Sequence, residues 1–197
     1  MEYSAGMVSC LFWVSETRKT AELLVKGISN NEIKELAVKE NIYQVRAEDR
    51  AKRIANLSIK RLEVLSKDLI EQVAIADIAT CKLLVLICTM KTDLLFYEFV
   101  HSVYRQAIIL GEGKVTDAAI NIFFDNKINQ SETVARFSES VIKKLKRTYN
   151  KILNEAGVLD SPTGERKIIV PLVDYRIHKM ISDAGLEIYL NALMGDE

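Results

Sequence analysis

The chain has 197 residues, 49% of them apolar, with eight glycines and two prolines. That composition excludes a disordered or fibrous protein and allows one large core or two small ones. Lysine plus arginine equals aspartate plus glutamate, 27 against 27, so global charge offers no argument for nucleic acid and only local clustering can.

Near the start, Glu2 is acidic and the apolar run Met7 to Val14 is short, which does not read as a secretory signal. Thr17 to Lys26 reads as a helix closed by Gly27. Ser29-Asn30-Asn31-Glu32 is a capping box opening a short helix, Asn30 to Glu40. A longer helix is expected from Ala47 to Ser66. Lys67 to Met90 follows with a break near Ala74, then Asp93 to Leu110. Within this region VAIADIATCKLLVLICTM, Val73 to Met90, has the hydropathy of a membrane span. It is short for one, however, and Asp77 and Lys82 would each cost about 2.5–3.5 kcal/mol at the bilayer centre. A buried helix is the cheaper arrangement, so no membrane association is expected.

Gly111 and Gly113 mark a loop and the expected boundary between two domains, 1–112 and 113–197. Thr116 caps a helix from Asp117 to Phe124, and Ser131 and Ser138 cap two more, each with a glutamate just inside. The second of these, ESVIKKLKRTYNKILNEAG, places Ile142, Leu145, Tyr149, Ile152, Leu153 and Ala156 on one apolar face and ends at Gly157. After it come Val158-Leu159, a turn-forming Asp160-Ser161-Pro162-Thr163-Gly164, and the β-branched stretch Arg166 to Leu172. These predict one short β-hairpin. Two short terminal helices, Asp174 to Ala184 and Leu186 to Leu193, complete the chain. A short helix, a long basic helix and a hairpin are the second half of a winged helix-turn-helix, whose long helix enters the major groove while the wing touches flanking backbone.

Basic residues concentrate in two places. On the long C-terminal helix Lys143, Arg147 and Lys151 fall four apart, flanked by Lys144 and Lys146; Arg166 and Lys167 follow on the hairpin. Residues 136–151 hold six basic side chains against one acidic. On the helix near Ala47, Arg46, Arg50, Arg53 and Lys60 align on one face with Arg61 beside them, and residues 46–61 hold six basic side chains against two acidic. Such rows suit phosphates, which position a protein without reading sequence. Asn150 and Asn154 are the best base-edge candidates. The plainer reading of either row is a solvated face, or one that meets an acidic partner.

The three cysteines (Cys10, Cys81, Cys88) show no C-x-x-C spacing, and His101 and His178 are far apart. This fits thiols packed in a reducing cytoplasm and supplies no catalytic, metal or cofactor set.

Several stretches resemble the BrxA family, the small component of BREX bacteriophage-exclusion systems. They are Tyr3-Ser4-Ala5-Gly6; Glu16-Thr17 with Gly27 and Ser29; Arg53 to Leu65 with Arg61-Leu62; Leu94 to Val103 with Phe96, Glu98 and Phe99; and KLKRTYNKILNEAGVL, Lys144 to Leu159. The resemblance implies a cytoplasmic, non-enzymatic, mostly α protein with a helical domain similar to the NusB antitermination fold. It also implies duplex DNA binding alongside other BREX proteins. The expectation is therefore a multi-helix, NusB-like N-terminal domain and a C-terminal winged-helix-like part. The alternatives are a protein–protein scaffold of the defence complex and a NusB-like RNA binder.

Overall fold

The computed structural model describes residues 2–196 and is mostly helical, with one two-stranded antiparallel sheet. After a 3-10 turn at Gly6–Ser9 come α1 (Val14–Val25), α2 (Asn30–Lys39), α3 (Glu48–Leu62), α4 (Lys67–Ile75) and α5 (Ile78–Thr92). α6 (Leu94–Phe99), a π-helical stretch Val100–Arg105 and α7 (Gln106–Ile109) follow without a gap. β1 (Lys114–Val115), α8 (Asp117–Gln130), α9 (Glu132–Ala135), α10 (Glu139–Ala156), β2 (Arg166–Lys167), α11 (Tyr175–Asp183) and α12 (Glu187–Met194) complete the order.

Local chemistry sets most of these ends. The Ser29 hydroxyl accepts from the Glu32 amide while the Glu32 carboxylate accepts from the Ser29 amide, so the capping box forms in full. Ser131 and Ser138 accept from Val134 and Val141 at the starts of α9 and α10. Gly157 closes α10 at φ +85°, a left-handed conformation that glycine adopts without a Cβ penalty.

The hydropathic stretch at Val73–Met90 divides between α4 and α5, because Ala76 turns to an extended conformation and Asp77 caps α5 through the Ala79 and Thr80 amides. From Leu83 to Met90 every side chain of α5 is buried. A helix that is apolar all round is a central one, and α5 packs against α1, α3, α4, α6, α10 and α12. Thr89 satisfies its hydroxyl on the Val85 carbonyl. Among the described residues no helix is long and apolar enough to cross a membrane.

One apolar core runs from Met7 to Leu193 and crosses the Gly111–Gly113 loop without a break. At its centre Phe96, Phe99, Phe123, Phe124 and Tyr149 interlock, with ring centroids 5.0–6.2 Å apart. A smaller core of Trp13, Ala37, Tyr43, Ala51, Ile54 and Ala55 fixes α2 to α3.

The expected hairpin forms only as a single bridge, and the sheet gains a strand from elsewhere. β2 pairs with β1, fifty residues earlier, in the register Lys114↔Lys167 and Val115↔Arg166. Val158–Leu159 contributes an isolated bridge, Leu159↔Ile168, supported by Ile169 N–H to Val158 O and Asp160 N–H to Lys167 O. β1 is two residues in a glycine-rich loop, too short to show a period of two in the sequence. Beyond Ile169 the backbone forms no ladder, and Pro171 has no N–H to donate to one.

Candidate nucleic-acid interface

α10 is the most strongly two-faced of the long helices. Ile142, Leu145, Tyr149, Ile152 and Leu153 are buried, and α5 and the turn at Gly6–Ser9 pack against the helix. On the outer side Lys143, Lys144, Arg147 and Lys151 are exposed. Residues four apart on a helix rise about 6 Å per step, so Lys143, Arg147 and Lys151 form a row that winds gently round the outer face. Lys143, Lys144 and Arg147 have no intramolecular ion pair among the described residues. Lys151 reaches Glu155 at 3.6 Å in a half-exposed pair, which surface screening keeps weak. Lys146 is turned aside: its Nζ donates to Asn121 Oδ1 at 2.7 Å and sits 5.4 Å from the Phe124 ring centroid. It belongs to the α8–α10 packing more than to the row.

The asparagines do not face outward as base readers. Asn150 is 3% exposed and donates to the Lys146 carbonyl. Asn154 is half-buried and donates to the Leu159 carbonyl, tying the helix end to the bridge strand. The outer face of α10 is thus cationic and almost devoid of amides.

On α3, Arg50, Arg53 and Lys60 are exposed, with Arg46 just ahead of the helix, and none of the four is ion-paired among the described residues. Arg61 leaves this row. It is 1% exposed, donating from Nη1 to the Phe12 carbonyl at 2.6 Å and from Nη2 to Leu11 at 3.1 Å. Burial lowers its pKa to about 10, so it stays charged at neutral pH. The spacing contains the reason. Ile54, Ser58 and Arg61 lie three or four apart on the buried stripe of α3, and the guanidinium there pins the extended segment leading into α1.

Arg166 is likewise structural. It is 6% exposed and donates to the carbonyls of Pro162, Gly164 and Val115 and to Asp117 Oδ1 at 2.8 Å. One planar fork therefore ties the 160–165 loop to β1 and to the first turn of α8. Lys167 remains exposed and its amide donates to Asp160 Oδ1. Opposite it stands Lys114, a residue without a periodic signal in the sequence. Lys114 is exposed and its Nζ is 3.1 Å from Glu165 Oε1.

Comparison with known proteins places this geometry in a family. A solved structure, an uncharacterized protein from Magnetospirillum magneticum, has the same fold with a TM-score of 0.79 at 19% identity, covering 98% of each chain. The BREX protein BrxA of Bacillus cereus (strain H3081.97) is 42% identical over 181 residues, spanning 92% of this chain and 90% of the relative. The sequence model of the BrxA family matches residues 1–185, and the chain belongs to that family, a component of BREX phage-defence systems.

Proposed function

We propose that the protein is a non-enzymatic, double-stranded DNA-binding component of its BREX system, acting in the cytoplasm largely through backbone phosphates. The observation that carries this reading is the outer face of α10, where Lys143, Lys144 and Arg147 are exposed and, among the described residues, without an ion pair, and Lys151 is only weakly held. Element order supports a winged-helix arrangement. The α6–α7 helix, β1, α8, α9 in the turn, α10, Val158–Leu159, the 160–165 loop and β2 follow the order helix, strand, helix, helix, strand, wing, strand. In this arrangement α10 lies in the groove, and Arg166 sets the wing while Lys167 meets phosphate. The row Arg46, Arg50, Arg53 and Lys60 is a second phosphate-binding surface on the N-terminal, NusB-like helical part. The division at residue 112 is then one of topology, since both parts share one core.

Lysine-rich contacts without base-directed amides favour weak sequence preference. Duplexes of unrelated sequence are expected to bind within about tenfold of one another, below the discrimination of even one good bidentate base contact in the best cases. Anisotropy titrations with several duplexes, and competition by structured RNA, test this. Strong preference for one sequence, or displacement of DNA by RNA at lower concentration, would overturn it.

The scaffold reading has its own support in exposed apolar side chains that the core does not use, chiefly Leu172 at 99% and Tyr175 at 78%. Contact with other BREX proteins through such a surface is compatible with DNA binding through α10.

A further inference from the structure

Lys114 and Lys167 stand directly opposite each other across the β1–β2 ladder. Opposed residues of an antiparallel pair project from the same face. Burial agrees: Val115 and Arg166 form the covered side, Lys114 and Lys167 the wet side. Two ammonium groups opposed in this way repel and weaken a ladder only two residues long. The register is held from beneath, where Arg166 bonds to the Val115, Pro162 and Gly164 carbonyls and to Asp117. Neither lysine contributes to that clamp. Only the Lys114 ammonium is ion-paired, to Glu165, with side chains 45% and 70% exposed, while the Asp160 carboxylate beside Lys167 accepts from its amide. The Lys167 ammonium has no anionic partner among the described residues.

We propose that Lys114 and Lys167 together form a phosphate site at the base of the 160–165 loop, with Glu165 as a competing anion that occupies Lys114 when no phosphate is bound. The ligand is a backbone phosphodiester of duplex DNA. It carries one negative charge and two free oxygens, one for each ammonium, and it cancels the repulsion that the ladder otherwise bears. Glu165 is displaced at little cost, because an exposed ion pair is weak and screened. The site rests on the duplex-binding reading above and adds to it a second phosphate ligand, Lys114, and an internal antagonist, Glu165.

The test is a set of anisotropy titrations of one labelled duplex at several salt concentrations, using the full chain and Glu165→Gln, Lys114→Gln, Lys167→Gln and the double variant E165Q/K114Q. Thermal melts of the free proteins accompany them. Glu165→Gln is expected to bind about two- to fivefold tighter, the range of a single exposed ion pair. It should also lower the melting temperature of the free protein and leave the log–log salt slope nearly unchanged, because the same phosphate is contacted with and without Glu165. Lys114→Gln and Lys167→Gln should each flatten the slope, by less than about one apiece because the two share one phosphate. The gain from Glu165→Gln should vanish when Lys114 is already glutamine, a coupling that a merely structural role for Glu165 does not produce. If Glu165→Gln binds no tighter, or if both lysine variants keep the original slope, the site is wrong. Should the unaltered protein bind duplex and lose that binding on reversal of the α10 row while both lysine variants stay silent, this site alone falls. Should the unaltered protein show no salt-dependent duplex affinity, the duplex reading falls and the site falls with it.

Discussion

Arg61→Ala is expected to destabilise the fold by about 3 kcal/mol while leaving the duplex affinity of the folded protein unchanged. The guanidinium donates the side-chain bonds to the Phe12 and Leu11 carbonyls. Removing it strands those acceptors beside a cavity. An orphaned buried acceptor costs about 1–3 kcal/mol, and truncating a large buried side chain costs about 2–5 kcal/mol. Against this, the variant no longer buries a cation that lacks a carboxylate partner and leaves its Nε without a bond, a penalty of several kcal/mol in general. The losses exceed the relief because two carbonyls and the packing volume go together. For a chain of this size about 3 kcal/mol corresponds to a fall in melting temperature of roughly 6–12 °C. Arg61→Met refills the volume but not the hydrogen bonds, and should recover part of the loss. Calorimetry of the three proteins checks the order. Duplex titration of the same proteins separates Arg61 from Arg53, whose reversal should weaken binding if α3 meets phosphate.

Reversing Lys143, Arg147 and Lys151 to glutamate is expected to weaken duplex binding by about 10²–10³-fold at 0.1 M salt. Each neutralised phosphate contributes a salt slope of about 0.9, which at 0.1 M is close to one decade of affinity relative to 1 M. Leaving three phosphates without a cation therefore removes nearly three decades, less what Lys151 already spends on Glu155. Fold stability should change little, because the three side chains lie on the wet face of α10. Lys146→Glu supplies a contrast. Its ammonium is held by Asn121 and the Phe124 ring, so this change should cost stability more than affinity.

Much of the architecture was legible because it is written locally. The Ser29–Glu32 box, the serine caps of α9 and α10 and the closing Gly157 depend on neighbours within a turn, and each forms where the sequence places it. Burial of Leu83–Met90 was legible too, since Asp77 and Lys82 weigh against a membrane, whereas Ile75 and Ile78 at the α4–α5 turn stay exposed. What escaped local reading was long-range. β2 pairs with β1 fifty residues away, and two residues carry no periodicity. Charge type alone could not say that Arg61 and Arg166 turn inward while Arg53 and Lys167 stay out. For Arg61 the signal was present, because position 61 lies on the same stripe as Ile54 and Ser58. For Arg166 it was not, since its partners are carbonyls of a loop and a carboxylate of α8. Lys114 escaped for the same reason as β1.

If the outer face of α10 binds duplex through the phosphates, affinity must fall steeply with salt. Four exposed cations on that face contribute about −3.6 to the log–log slope, and the phosphate at Lys167 and the row Arg46, Arg50, Arg53 and Lys60 steepen it further. The variant reversed at Lys143, Arg147 and Lys151 should be shallower by about three. A flat slope for the unaltered protein, or an unchanged slope for the variant, would show that α10 does not hold duplex by its phosphates.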